Sequence, residues 1–252
     1  MFIRASHPAQ ASASSDIANI VRTSDLSKGS LQAMKDFKSN PERFLAQNIL
    51  DISGVMRSND RTSTTSMLND VLKKGYFAFI PSENGNSKFH LKPVNVSTVA
   101  EAENVIYAHW IPFKSGNVTP GYTDIPKIPH HAPRDDSAIF AFTPGMNGCA
   151  LEVREHPTRD NYYRIFHNQH PTSQVQTDLI DEIAGSKVDA FTESEYFQHN
   201  NALLMPVAAN IMHFDNRQGG WAFISQPQGI NMHNNAVERM SNSNIIFRYM
   251  TE

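Results

Sequence analysis

From Tyr76 onward, apolar residues come in short runs of strand length separated by clusters of Gly, Pro, Asn, Asp and Ser, a rhythm that admits few folds. The runs are residues 76–80, 88–94, 104–110, 138–142, 150–153 and 162–166, then 203–214, 221–225 and 245–250. Segments of this length, rich in β-branched and aromatic residues and bounded by turn formers, read as strands. Two helical interludes, at about 173–184 and 193–199, separate the later ones.

Before residue 75 the period changes. Pro41 suits a first helical turn, and Phe44, Leu45, Ile49, Leu50 and Ile52 recur at roughly helical spacing, which predicts an amphipathic helix through about Arg57. A second helix is predicted over residues 64–74, with Met67, Leu68, Val71 and Leu72 on one side and Gly75 as its stop. Helices first and strands afterwards predict an α+β fold, with mixed or antiparallel sheets in a sandwich-like arrangement and the N-terminal helices packed on one face. We assign one domain to residues 31–252, helical over 31–75 and mainly strands over 76–252. Residues 1–30 read as a disordered tail, because residues 5–15 are small and polar and offer little apolar surface to offset ordering entropy. That tail is compatible with an export signal and equally with an ordinary mobile terminus. Residues 120–136, rich in Pro and His, read as a long surface loop.

Composition excludes several classes. The net charge of −3 supplies no basic footprint for nucleic acid. No apolar run approaches the roughly 18 residues of a membrane span. A single cysteine cannot form an intramolecular bridge. The sequence has no Gly-x-x-x-x-Gly-Lys-Ser/Thr loop, no Gly-x-Gly-x-x-Gly fingerprint and no Gly-x-Ser-x-Gly elbow, so nucleotide binding and serine hydrolysis have no motif support.

That cysteine, Cys149, stands between the strand 138–142 and the strand 150–153, and the next strand ends at His167. If the last two strands pair as an antiparallel hairpin, the start of one faces the end of the other, and thiol meets imidazole. A thiol needs such a base, since a free cysteine with a pKa of about 8.5 is mostly protonated at neutral pH. Asn147-Gly148 supports a tight turn that would expose the thiol and aim backbone N–H groups of Gly148 and Cys149 at an oxyanion. The competing reading is a small apolar residue capping a buried strand.

The same segment resembles the active-site region of bacterial toxin glutamine deamidases of the cytotoxic necrotizing factor catalytic-domain type, closest to Burkholderia lethal factor. Gly148-Cys149 resembles the nucleophile pair, Thr143 falls six residues before the cysteine, and His167 with Pro171 resembles the His-x-x-x-Pro of the base. Trp110-Ile111-Pro112-Phe113-Lys114-Ser115-Gly116 with Pro120-Gly121 resembles a further stretch of that family. The resemblance implies a secreted effector, acting in the host cytoplasm without a cofactor or metal, in which Cys149 and His167 deamidate a glutamine of a host protein. It also implies that Thr143 orients the imidazole or donates to the oxyanion. The implied targets are a Rho-type GTPase or a translation initiation helicase. The alternatives are a transglutaminase or other thiol hydrolase using the same pair, or a non-catalytic interaction protein with a buried cysteine.

Other histidines compete. His170 lies three residues past His167 and would reach the thiol if its loop folds back. His213, Asp215 and His233 contain the ingredients of a two-histidine, one-carboxylate metal site, although on a strand His213 and Asp215 also read as a hydrogen-bonded surface pair. His130, His131 and His156 read as solvated.

Overall fold

Alternating side chains build two cores on the two faces of one sheet. The computed structural model describes residues 21–52, 73–83, 87–116, 118–129, 138–196, 204–240 and 243–251. Its centre is a hairpin of two twelve-residue strands, β11 (Leu204–Asp215) and β12 (Gly220–Asn231), paired from Leu204↔Asn231 to Asp215↔Gly220. Along β11, Ala209 and Ile211 enter one core while Ala208, Met212 and Phe214 enter the other; along β12, Ile224 joins the first and Trp221 and Phe223 the second. A strand buried on both faces has this composition because successive side chains point to opposite sides.

The large sheet extends from this hairpin in the order β1-β4-β3-β5-β7-β11-β12-β13. These are β1 (Val21–Arg22), β3 (Lys74–Pro81), β4 (Lys88–Asn95), β5 (Ile106–Trp110), β7 (Phe140–Phe142) and β13 (Val237–Arg239). Two short strands, β2 (Ile49–Asp51) on β4 and β14 (Ile246–Tyr249) on β12, complete it. Parallel pairs (β1–β4, β2–β4, β5–β7) mix with antiparallel ones. The sheet curls until β2 meets β12, and two buried glutamines join them. Leu50 N–H donates to Gln226 Oε1 at 2.9 Å, and Gln228 Nε2 donates to Leu50 O at 2.9 Å.

Helices α1 (Lys28–Ser39) and α2 (Pro41–Gln47) fill the curl. Ser27 caps α1 by accepting from Ser30 N–H, and Asn40 ends α1 and caps α2, with Pro41 in the first turn where its missing N–H is harmless. Ser30, Ala33, Met34 and Phe37 form the buried stripe of α1. The Phe37 ring lies within 6.1 Å of the rings of Phe44, Phe79, Phe140 and Phe142.

A second sheet, ordered β10-β8-β9-β6, covers the other face. It comprises β6 (Gly121–Pro126), β8 (Ala150–Glu155), β9 (Tyr162–Asn168) and β10 (Lys187–Phe191), antiparallel throughout. Trp221 Nε1 donates to Pro126 O at 3.0 Å across the layers. Helix α4 (Gln174–Asp181) lies on the outer side, where Arg154 bonds Glu152 and Asp181. The short helices α3 (Val99–Glu103) and α5 (Glu193–Tyr196) complete the α-helices among the described residues.

The α+β architecture with helices on one face of mixed sheets is present. Some boundaries differ from the sequence reading. The helix expected through Arg57 ends at Gln47, because Ile49–Asp51 pairs parallel with Lys88–His90 and is held by the glutamines; residues 53–57 lie outside the described residues. Of the helix expected over 64–74, residues 64–72 lie outside them, and Lys74 opens β3. Within the expected loop 120–136, Gly121–Pro126 is strand β6, while 130–136 lie outside the described residues. Gly121 is required there, since a Cβ on it would meet Pro112 O at 1.9 Å. Of the assigned tail, residues 21–30 form β1, a turn and the start of α1, with Ser30 buried; residues 1–20 lie outside the described residues.

Gln226→Leu keeps the volume but strips partners from Leu50 N–H and from the Leu45 and Asn48 carbonyls. Several buried groups left unpaired at about 1–3 kcal/mol each predict a loss of roughly 3 kcal/mol or more in urea unfolding. A change below about 1 kcal/mol would show that the seam does not hold the sheet closed.

Candidate functional site

Strands β8 and β9 pair Ala150 with Asn168 and Leu151 with His167. Cys149, one residue before β8, therefore lies across from Gln169 and diagonal to His167, on the face that carries Leu151, Val153 and Ile165. The expected hairpin is present, offset by two residues. Diagonal neighbours of this kind have Cα atoms roughly 7–8 Å apart.

The thiol is enclosed. Cys149 is 7 % exposed, and its Sγ donates to Asn147 O at 3.8 Å. The turn before it has the expected left-handed glycine, with Gly148 at φ +75°. Tyr196, fully buried on α5, donates its hydroxyl to Cys149 O at 2.6 Å. A Cβ on Gly148 would lie 3.8 Å from Glu193 Oε2. Burial raises the Cys149 thiol above its ordinary value, and the Glu193 carboxylate adds to the rise. Both effects disfavour a thiolate.

His167 is fully buried at the end of β9. Its Nδ1 lies 2.7 Å from Thr143 Oγ1, which itself donates to Ile111 O at 2.9 Å. With the hydroxyl hydrogen committed to Ile111, Thr143 is the acceptor, so Nδ1 carries the imidazole hydrogen. Nε2 is then a bare acceptor, with no hydrogen-bond partner among the described residues. The Phe113 ring packs edge-on at 5.0 Å. Burial alone pushes the His167 pKa down to about 3, so the ring is neutral at physiological pH. Thr143 thus orients the imidazole, and its hydroxyl hydrogen is committed to Ile111.

The other histidines have separate settings. His156 Nε2 meets Asp124 Oδ2 at 3.1 Å while its Nδ1 accepts from the N–H groups of Thr158 and Arg159. His170 is exposed. His213 stacks on Phe140 at 4.8 Å, and Asp215 accepts from the Tyr249 hydroxyl at 2.6 Å. His233 sits in the turn after β12, beyond Asn231, whereas His213 pairs with Ala222 at the far end of the hairpin. Nine residues of strand separate those positions by about 30 Å, too far for one metal. Among the described residues no group of three or more His, Cys, Asp or Glu side chains is placed to hold a metal ion. His130 and His131 lie outside the described residues.

Residues 31–251 match the family model of the Mcf1 activator-binding domain. The chain belongs to that family. No curated protein matches it. The match overturns the resemblance to toxin glutamine deamidases, and with it the deamidase function and the targets carried over from that resemblance. In the site itself, burial biases the thiol toward its protonated form and the imidazole toward its neutral one. The short motifs that carried the resemblance occupy a strand end and a hairpin, where Gly, Cys and His also serve turn and core. Glu193, Tyr196 and the Ile111 carbonyl were missed in sequence. Only the short helix containing the first two was legible there, and nothing local places it against Gly148 or Cys149.

A histidine neutral in the fold at pH values where the unfolded chain protonates it makes stability pH-dependent. The unfolded state binds the extra proton between about pH 6.5 and 3, so stability is complete above pH 6.5 and falls on acidification through that window. The slope from this group approaches about 1.4 kcal/mol per pH unit. Urea midpoints at pH 7 and pH 5 should therefore separate more for the native chain than for His167→Phe. Equal separations would mean that His167 is already accessible to protons in the fold.

Proposed function

We propose that this chain works by binding a protein activator. The observation that carries this reading is the match to the activator-binding domain family over residues 31–251. The site chemistry supports it from the other side. Cys149, His167 and Thr143 are buried and hydrogen-bonded into the joint between the two sheets, which is what a rigid scaffold requires. Surface grooves of protein-contact size flank that scaffold. One, of about 600 Å³, is edged by the exposed Tyr249 and Ile128 over the buried Trp221 and Tyr163, and another of about 540 Å³ lies beside α1. Aromatic and aliphatic residues at a groove are the usual anchors of protein interfaces.

Export from a bacterium and action in a host cytoplasm belong to the same proposal. With a single cysteine the fold does not depend on a disulfide, so it is compatible with a reducing compartment. No helix among the described residues is long and apolar enough to cross a membrane.

The test is capture from host-cell lysate, purification of the captured protein and calorimetric titration against the full chain. Saturable binding with a negative heat-capacity change is expected, and Cys149→Ala should bind within a few-fold of the native chain. If no purified candidate binds saturably, the reading falls. If folded Cys149→Ala loses binding, the thiol takes part after all.

A further inference from the structure

Helix α1 breaks a local rule on its exposed side. Lys28 stands in the first turn, where the helix dipole disfavours a cation, and no acidic residue offsets it there. Lys28, Leu31, Lys35 and Lys38 follow at steps of three, four and three, so they share one stripe, opposite the buried Ala33, Met34 and Phe37. The stripe lines a groove whose far wall is Glu103 and Asn104, at the corner between α3 and β5. Lys38 fixes the floor by donating to Glu103 O at 2.8 Å and Val105 O at 3.3 Å.

Lys28 and Lys35 are exposed and make no ion pair or hydrogen bond among the described residues. The acids nearby are engaged elsewhere: Asp36 accepts from Gln32, Asp25 from Ser24, and Glu101 from the N–H groups of Ser97 and Thr98. Leu31 is 37 % exposed between the two lysines. In a chain of net charge −3, the groove therefore carries three lysines against one glutamate around an aliphatic centre. Lys28, placed against the helix dipole and unpaired among the described residues, marks a binding surface better than a folding one.

We propose that an acidic segment of the protein activator docks in this groove, with carboxylates on Lys28 and Lys35 and an apolar side chain on Leu31. This rests on the activator-binding reading and names the surface and partner chemistry. Complementary charge of this kind governs association rate and salt dependence and penalises wrong partners.

The test uses the full chain, the native protein and Lys28→Glu/Lys35→Glu, with two ligands. One is a fluorescent peptide alternating glutamate with leucine, read by anisotropy; the other is the activator purified after capture. Circular dichroism melts check the fold, which the double substitution should preserve, since glutamate at position 28 suits the first turn of the helix and position 35 is exposed on its outer side. Both ligands should bind the native chain in a salt-dependent way and lose at least about tenfold in affinity to the charge-reversed one. Leu31→Ala should weaken both further. No saturable peptide binding, or an activator that binds the reversed chain as tightly as the native one, would overturn the groove and leave the activator-binding reading intact. A chain that binds no purified partner removes that reading, and the docking proposal falls with it. Protection from hydrogen exchange at the Trp221 and Tyr249 groove instead of at α1 would place the partner elsewhere and likewise overturn it.

Discussion

Gln226 sits in the curl of the large sheet, fully buried, with both ends of its amide engaged. Its oxygen accepts from Leu50 N–H and from Gln228, and its nitrogen donates to the carbonyls of Leu45 and Asn48. Those backbone partners lie 176 to 181 residues earlier in the chain. A curled sheet that stops short of closure leaves two edges with unpaired backbone groups. Here side-chain amides stand in for the missing ladder, in surroundings of low dielectric where a satisfied bond is strong and an orphaned group expensive. Holding β2 in place positions α2, whose Phe44 packs with Phe37 and Phe79. Holding β12 fixes Trp221 and Phe223 against the second sheet. One seam thus sets both cores.

The parts of this architecture visible in the sequence are those with a local cause. Strands β3, β4, β5, β8, β9, β11 and β14 follow from apolar runs ended by turn residues, within a few residues at each end. Others depend on distant partners. Ile49–Asp51 continues a helical apolar spacing, and only β4 and the two glutamines convert it to strand. Gly121–Pro126 reads as loop because it carries Gly, Asp and Pro, yet β9 supplies its whole ladder. Lys187–Phe191 has no apolar run long enough to signal a strand, and it forms on the edge of β8. Helix α1 follows a clear cap at Ser27, but its small and charged residues hide a buried stripe of four.

The site divides in the same way. That Cys149 and His167 share a hairpin face was legible, because period two and antiparallel pairing are enough to place them. Their protonation was not, because it depends on burial and on groups from remote elements. Ile111 and Phe113 come from the segment after β5, Thr143 from the end of β7 and Glu193 from α5. Nothing within five residues of the cysteine reports any of them. A thiolate–imidazolium pair forms where the charged forms are favoured, and here desolvation acts on both groups in the opposite sense.

Thr143 and His167 also have a structural role. Thr143 belongs to the large sheet's side and His167 to the small sheet, so the chain from Ile111 O through the Thr143 hydroxyl to Nδ1 is a buried polar rivet between the layers, beside the Trp221–Pro126 hydrogen bond and the Arg248–Asp189 ion pair. Hydrophobic contacts are non-directional, and two sheets packed by them alone can slide with little penalty. A buried hydrogen-bonded pair selects one register, because any other leaves its groups unpaired. The groups that fix this fold, Gln226, Gln228, Thr143 and His167, are all buried, whereas Lys28 and Lys35 on α1 contribute nothing to it among the described contacts. Folding and recognition therefore rest on different residues, which lets a binding surface carry charges that the helix beneath it does not need.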